Sequence, residues 1–326
     1  MKGNLENIAV MLGKAPHKNK PITAPAQLIH AQKHNQPKTP AEWLQIKQEL
    51  ANIKGGHYPK KWRNRRWLIL LMINLLFTFS FWLDIQLFEG SLIASRVLGF
   101  HMADPYSAFQ IALAYRLMSI NLIIGTVTVI LLWIFFGGRA FCAWVCPYHL
   151  LAEWAEQLHL KLVANQWVID HPVHRGIRPL LFILFILLAF LLGYSLFNSL
   201  NPVGIASRAL IYGPSLALLW VLLLLCWEIF YSRRAWCRYV CPVGLTYGLI
   251  GTVSPLQIAY QLPHCQHEGA CLSVCEVPHV LDCVKKGRAA DVKIDIGPDC
   301  TLCGACVDIC PSQSLTFEIK GLSHLL

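Results

Sequence analysis

"RAFCAWVCP" occupies residues 139–147 and "RAWCRYVCP" residues 234–242, so one Arg-Ala-x-Cys-x3-Cys-Pro motif recurs at an interval of 95 residues. Each copy follows an apolar stretch. Four windows, Trp67–Phe88, Ile120–Phe136, Pro179–Phe197 and Pro214–Tyr231, contain no Lys or Arg, and about 17–25 apolar residues suffice to cross a hydrocarbon core of roughly 30 Å. The middle of the chain therefore reads as a duplication in which each unit is two spans and a cysteine motif. The connections between the paired spans carry "ADP" at 103–105 and "NPV" at 201–203, a second echo of the repeat. Two spans restore the original orientation, so the units should be parallel repeats about an axis along the membrane normal, with both cysteine motifs at one surface.

Composition agrees. The 326 residues are 55% hydrophobic and 14% charged, against about 25% charged in soluble proteins. Of 28 Lys and Arg, only Arg96, Arg116 and Arg208 fall in the 89–119 and 198–213 connections; the rest, including "KKWRNRR" at 60–66, lie on the other side. The positive-inside rule then places both termini in the cytoplasm of a bacterial inner membrane. No apolar core precedes the first span, so no cleavable signal peptide is expected. The net charge of +10 gathers at membrane edges, without the interleaved aromatic pattern of a nucleic-acid reader; nucleic acid is excluded as a partner and membrane lipid is expected. Thirteen cysteines in a chain whose tail faces a reducing compartment point to metal or cluster ligation rather than disulfides.

The chain divides into a polar tail over 1–59, with Pro16, Pro21, Pro25, Pro37 and Pro40; a first membrane repeat over 60–155; a cytoplasmic connection over 156–178; a second repeat over 179–255; and a small domain over 256–326. In the tail, Thr39 and Glu42 form a capping box, Pro40 suits the first helical position and Gly55 can end the helix. Trp43, Ile46, Leu50 and Ile53 share one face of that helix, which lies on the bilayer, on the protein, or against a partner.

In the last domain "CTLCGACVDICP" gives Cys300, Cys303, Cys306 and Cys310, then Pro311. The C-x2-C-x2-C-x3-C-P run is a bacterial ferredoxin pattern, in which three thiolates hold one [4Fe–4S] cluster and the fourth reaches the other. A zinc site would need two separated pairs. The partner motif "CQHEGACLSVCEVP" has Cys265, Cys271 and Cys275 but Glu268 where the second thiol belongs. Either Cys283 loops back to fill that place, or it is an idle thiol beside a degraded or empty site. The crossed-ligand rule predicts one cluster on Cys275, Cys300, Cys303 and Cys306 and the other on Cys265, Cys271, Cys283 and Cys310.

Four spans, two C-x3-C-P motifs, "CPVGLTYGLIG", "VCEVPHVL" and "DCTLCGACVDIC" together resemble the NapH/MauN family over roughly residues 60–320. The resemblance implies a membrane quinol dehydrogenase component with quinol as substrate, associated with periplasmic nitrate reductase and related respiratory systems, and a periplasmic NapG-like ferredoxin-type partner. The long N-terminal tail and Glu268 depart from the family pattern. NosR-like and CcoG-like proteins share the membrane cysteine motifs, which keeps open a second reading, a membrane ferredoxin serving the maturation or regulation of another metalloenzyme. The fold expected is a mainly α membrane protein, four transmembrane helices in two parallel repeats, with a C-terminal cytoplasmic ferredoxin-like α+β domain around two clusters. Clusters on the cytoplasmic side and an acceptor in the periplasm leave the direction of electron flow open.

Residues four apart lie on one helix face, so Cys142 with Cys146, and Cys237 with Cys241, can each present two sulfurs together as a redox or metal site; the alternative is a duplicated structural turn. Pro147 and Pro242 suit the first position of a new helix, which puts Cys146 and Cys241 at helix N-termini, where the dipole with Arg139 and Arg234 should favour thiolate. Carboxylates are costly inside a membrane and often functional there, so Asp84 and Glu228 are candidate proton acceptors, with His101 and Asp104 as weaker ones in the outer loop. Cys226, alone in the fourth span, reads as a small buried filler.

Overall fold

A computed structural model describes residues 2–16, 20–34, 39–54, 58–84, 88–97 and 99–320 of the chain, which is mostly helical. At the N-terminus come α1 (Lys2–Met11), α2 (Ala24–Ile29) with a π-type turn at His30–His34, and α3 (Pro40–Lys54). All three lie on the protein itself. Met11, Ala26 and Ile46 are buried, and Leu50 and Ile53 pack on the hydrophobic core of the C-terminal domain. The Thr39 carbonyl accepts from Trp43 N at 3.0 Å, whereas the Glu42 side chain, Gly55 and Pro37 lie outside the described residues.

Next is α4 (Lys61–Trp82), long and apolar enough to cross a membrane. Its first turn is capped from far along the chain: the Asp308 carboxylate accepts from Trp62 N at 3.0 Å and Arg63 N at 3.1 Å, satisfying N–H groups that a helix start leaves open. The span ends at Trp82, not at Phe88. Asp84 sits in an exposed turn at φ 52°, outside the helix in which it was expected.

Beyond it, β1 (Phe88–Ser91), β2 (Ala94–Val97) and β3 (Phe100–Ala103) form an antiparallel sheet in that order, followed by α5 (Pro105–Tyr115), α6 (Ile120–Phe136), α7 (Ala140–Trp144) and α8 (Pro147–Ala164). The second unit runs α9 (Ile177–Leu192), α10 (Leu196–Leu200), α11 (Pro202–Tyr212), α12 (Ala217–Phe230), a π-type turn at Trp236–Val240, and α13 (Pro242–Gly251). The apolar helices α6, α9 and α12 have 17, 16 and 14 residues; at 1.5 Å per residue the shortest extends about 21 Å, less than a full bilayer core.

The predicted outer loops are built structure that folds back into the bundle. Asp104 and Asn201 cap α5 and α11 through Ser107 N at 2.9 Å and Val203 N at 3.1 Å, each with proline at the first helical position. Both caps are buried, and the Tyr106 hydroxyl donates to the Phe182 carbonyl, one turn and a half into α9, at 3.0 Å. Asp104 is therefore inside the molecule rather than in an outer loop, while His101 is exposed on β3. Cys226 is exposed on α12 rather than buried.

The last domain has β4 (Leu256–Gln261), α14 (Ala270–Val274), β5 (Lys293–Asp295), α15 (Ala305–Ile309) and β6 (Leu315–Ile319), with strand order β5-β4-β6, all antiparallel. It repeats internally at an interval of 35 residues: Gly269 and Gly304 open α14 and α15 at φ 79° and 75°. At the same interval His267 and Leu302 adopt φ 58° and 52°, each donating its N–H to the sulfur two residues earlier, Cys265 at 3.4 Å and Cys300 at 3.5 Å. In that register Glu268 stands opposite Cys303.

Candidate iron–sulfur sites and the seam between them

Three groups of thiols come together. Cys275, Cys300, Cys303 and Cys306 line one small cavity whose other walls are chiefly Ile258, Val280, Leu281 and Ile296. Burial pushes the Cys300 thiol up to about 11 and Cys303 up to about 12. In the second group Cys265 and Cys310 act electrostatically on Cys271, and Cys265 on Cys283; burial raises Cys271 and Cys283 to about 12 each. Cys283 also borders the cleft beneath α1.

Cys142, Cys146, Cys237 and Cys241 form the third group, around one cavity shared with Arg139, Tyr148, Arg234 and Trp236. The pairs are not presented by one regular helix. In each repeat a wider i→i+5 bond closes the turn, from Cys146 N to the Phe141 carbonyl at 3.2 Å and from Cys241 N to the Trp236 carbonyl at 2.8 Å. Cys146 and Cys241 then cap α8 and α13, with Pro147 and Pro242 following. The dipole and arginines do not win at these thiols. Burial drives all four up, Cys241 to about 11, and at Cys142 it outweighs the opposing pull of Arg139 and Arg178. Four thiolates facing one space, two of them buried and two half-buried, need positive charge between them. Among the described residues no three His, Cys, Asp or Glu meet at single-ion spacing; the thiols ring a space instead.

The two motif arginines help to join the repeats to the last domain. Arg139 and Asp299 form a buried ion pair, to which Arg178 Nη1 adds a contact of 2.9 Å. Arg234 pairs with Glu156 and lies 3.4 Å from Glu276. Glu276 also receives Arg66 Nη1 at 2.9 Å, His149 Nε2 at 3.1 Å and the Thr301 hydroxyl at 2.8 Å. Burial alone would raise both carboxyls. Arg234, His149 and Arg66 overturn it at Glu276, and Arg139 and Arg178 at Asp299, holding each far below the usual carboxylate range. Each acid adjoins a cysteine, Glu276 after Cys275 and Asp299 before Cys300. Sequence reasoning missed both; the available signal was an arginine at the same place in each repeat.

Val277 and Thr301 line both the Cys275 cavity and the four-thiol cavity, so one residue-thick wall separates them. Glu228, fully buried, accepts from Trp236 N at 3.0 Å and faces Tyr148 and Cys237.

Residues 119–164 and 212–256 match a family described as a 4Fe-4S binding domain, and each match carries one copy of the repeated cysteine motif. The chain is 28% identical over 269 residues to the ferredoxin-type protein NapH of Escherichia coli strain K12, covering 80% of this chain and 92% of that one. To the methylamine utilization ferredoxin-type protein MauN of Paracoccus denitrificans it is 34% identical over 204 residues, covering 62% and 71%. To MauN of Methylobacillus flagellatus it is 30% identical over 235 residues, covering 71% and 82%. No solved structure matches.

Proposed function

Because the chain belongs to the family of NapH and MauN ferredoxin-type proteins, with their iron–sulfur electron-transfer role, we propose that it takes electrons from the quinol pool and passes them towards a periplasmic reductase system such as nitrate reductase, with a NapG-like ferredoxin-type protein as partner. The observation that carries this reading is the shared wall of Val277 and Thr301 between two thiol-lined cavities. It supports reading the repeats and the last domain as one redox unit rather than an anchor and a cargo.

In this reading Cys275, Cys300, Cys303 and Cys306 hold one [4Fe–4S] cluster, Cys265, Cys271, Cys283 and Cys310 a second, and Cys142, Cys146, Cys237 and Cys241 a further iron–sulfur centre that needs both repeats. Such clusters, when bound, exchange single electrons at potentials set by burial and by hydrogen bonds to sulfur. The chain's own residues keep water out through Ile258 and Leu281, point N–H groups of His267 and Leu302 at sulfur, and fix the seam through Glu276 and Asp299. Glu228, which faces Cys237, is the proton acceptor for quinol oxidation; Asp84, at the exposed end of α4, is left at the aqueous edge.

Membrane insertion is supported by large apolar side chains that face outward along all four apolar helices, among them Leu68, Leu75, Leu131, Phe135, Leu184, Leu191, Leu219 and Leu223. A soluble protein rarely exposes such continuous surface. Helices α4, α6, α9 and α12 are the four spans, and a reporter fused after Leu326 should be active in the cytoplasm; activity only in the periplasm would overturn this topology.

Protein purified without oxygen should carry about twelve irons per chain, four for each of three centres. About eight would remove the membrane centre, and none would end the reading. Cys283→Ala should lower the iron content and alter the low-temperature EPR spectrum; values equal to the parent protein's would mean that Cys283 is not a ligand.

A further inference from the structure

A cleft of about 320 Å³ opens beside the second cysteine motif, within the usual size of a small-ligand site of about 300–1,000 Å³. Its walls come from four parts of the chain: Arg139 of the first cysteine motif, the segment ahead of α9 with Arg178 in its first turn, the stretch from Arg233 to Tyr239 after α12, and the last domain at Val277–His279 and Asp299. Arg139, Arg175, Arg178, Arg233 and Arg238 line it, against two carboxylates, Asp170 and Asp299. Those carboxylates are already engaged. Asp299 is shared by Arg139, Arg178 and His279, and Asp170 lies 3.6 Å from Arg233 and 3.5 Å from His159.

Two arginines are left over. Among the described residues Arg175 and Arg238 form no ion pair: Arg175 donates to the carbonyls of Val10 at 3.2 Å and Lys14 at 2.9 Å, and Arg238 to that of Glu276 at 2.7 Å. Arg178 Nη2 and Arg238 Nη2 are buried without an acceptor. A buried cationic N–H without an acceptor loses its hydration with nothing in return. Several guanidinium forks around one small space suit the tetrahedral oxygens of a phosphate.

We propose that this cleft binds a phosphate group, carried by the headgroup of an anionic phospholipid or free as inorganic phosphate. Basic pockets between membrane helices on the cytoplasmic side are suited to anionic headgroups; the lipid source rests on the membrane reading above, and the phosphate chemistry does not. A phosphate here would contact both sides of the seam, tying the second repeat to the segment ahead of α9 and to the last domain.

The test uses the full chain in detergent, washed free of lipid. Melting temperature and bound phosphorus are followed while inorganic phosphate, phosphatidylglycerol micelles or phosphatidylcholine micelles are added, with sodium chloride at matched ionic strength as control. A saturable rise with phosphatidylglycerol beyond that with phosphatidylcholine assigns the lipid headgroup; a saturable rise with inorganic phosphate assigns the free anion. Arg175→Gln and Arg238→Gln should each weaken the apparent affinity about fivefold, with Arg238→Lys recovering part of it. A response no greater than that to chloride overturns the site, whether or not the glutamine variants fold, and so does equal affinity in parent and folded variants.

Discussion

Glu276→Leu should destabilise the protein more than any other single substitution outside the thiols. The carboxylate is buried and faces Arg66, Arg234 and His149 while accepting from Thr301. Removing it leaves the guanidiniums of Arg66 and Arg234 close together out of water, and breaking a buried ion pair from one side typically costs about 3–5 kcal/mol. Arg66 and Arg234 keep Glu153 and Glu156, which sets the loss near the lower end of that range. The damage should show as a lowered melting temperature and as loss of iron from the cluster domain, because Thr301 lies between Cys300 and Cys303 and Glu276 follows Cys275. Glu276→Gln, which can still accept from Thr301, should lose less. Coupling is checked by combining Glu276→Leu with Arg234→Leu: contacting partners deviate from additivity, and strictly additive losses would mean that the two do not act as a pair.

The double substitution Cys142→Ser, Cys237→Ser should abolish quinol-driven reduction of the last domain's clusters while leaving those clusters in place. Serine keeps the size of the side chain but replaces a soft thiolate donor, which iron–sulfur sites favour, with a hard hydroxyl. One thiol is lost from each repeat, so a centre that needs both should go, and total iron should fall by about four per chain. Reduction by dithionite should still give the parent EPR signal of the remaining clusters. If iron stays constant and only quinol-driven reduction is lost, the four thiols work as a dithiol relay without metal. If neither changes, the motif is packing.

The motifs were legible because their spacing is the chemistry: the tight intervals of Cys300, Cys303, Cys306 and Cys310 admit few alternatives, and hydropathy located the four apolar helices to within a few residues at most ends. The overshoot at Asp84 and Phe88 has a local cause, since the apolar run continues past the point where the backbone turns at Leu83–Asp84 and Phe88 enters a strand. The re-entrant α5 and α11 were half legible. "ADP" and "NPV" marked the repeat, but the distribution of basic residues put them in outer loops, and the bond from Tyr106 to the Phe182 carbonyl that draws α5 into the bundle leaves no local trace in the sequence. The seam was hidden because its pairs join residues far apart, Arg139 with Asp299 and Arg66 with Glu276, and no local pattern reports such a meeting. Arg139 and Arg234 do act on the neighbouring thiols as expected, but burial of the sulfurs, which no local pattern reports, outweighs them.

The central claim is that quinol feeds these iron–sulfur sites. The most direct measurement mixes the oxidised, anaerobically purified full-length protein with a reduced quinol analogue and follows the cluster EPR signal at low temperature. The account predicts that a reduced [4Fe–4S] signal grows with quinol and disappears again when the quinone form is added in excess. Clusters that dithionite reduces but that neither quinol reduces nor quinone reoxidises would contradict it.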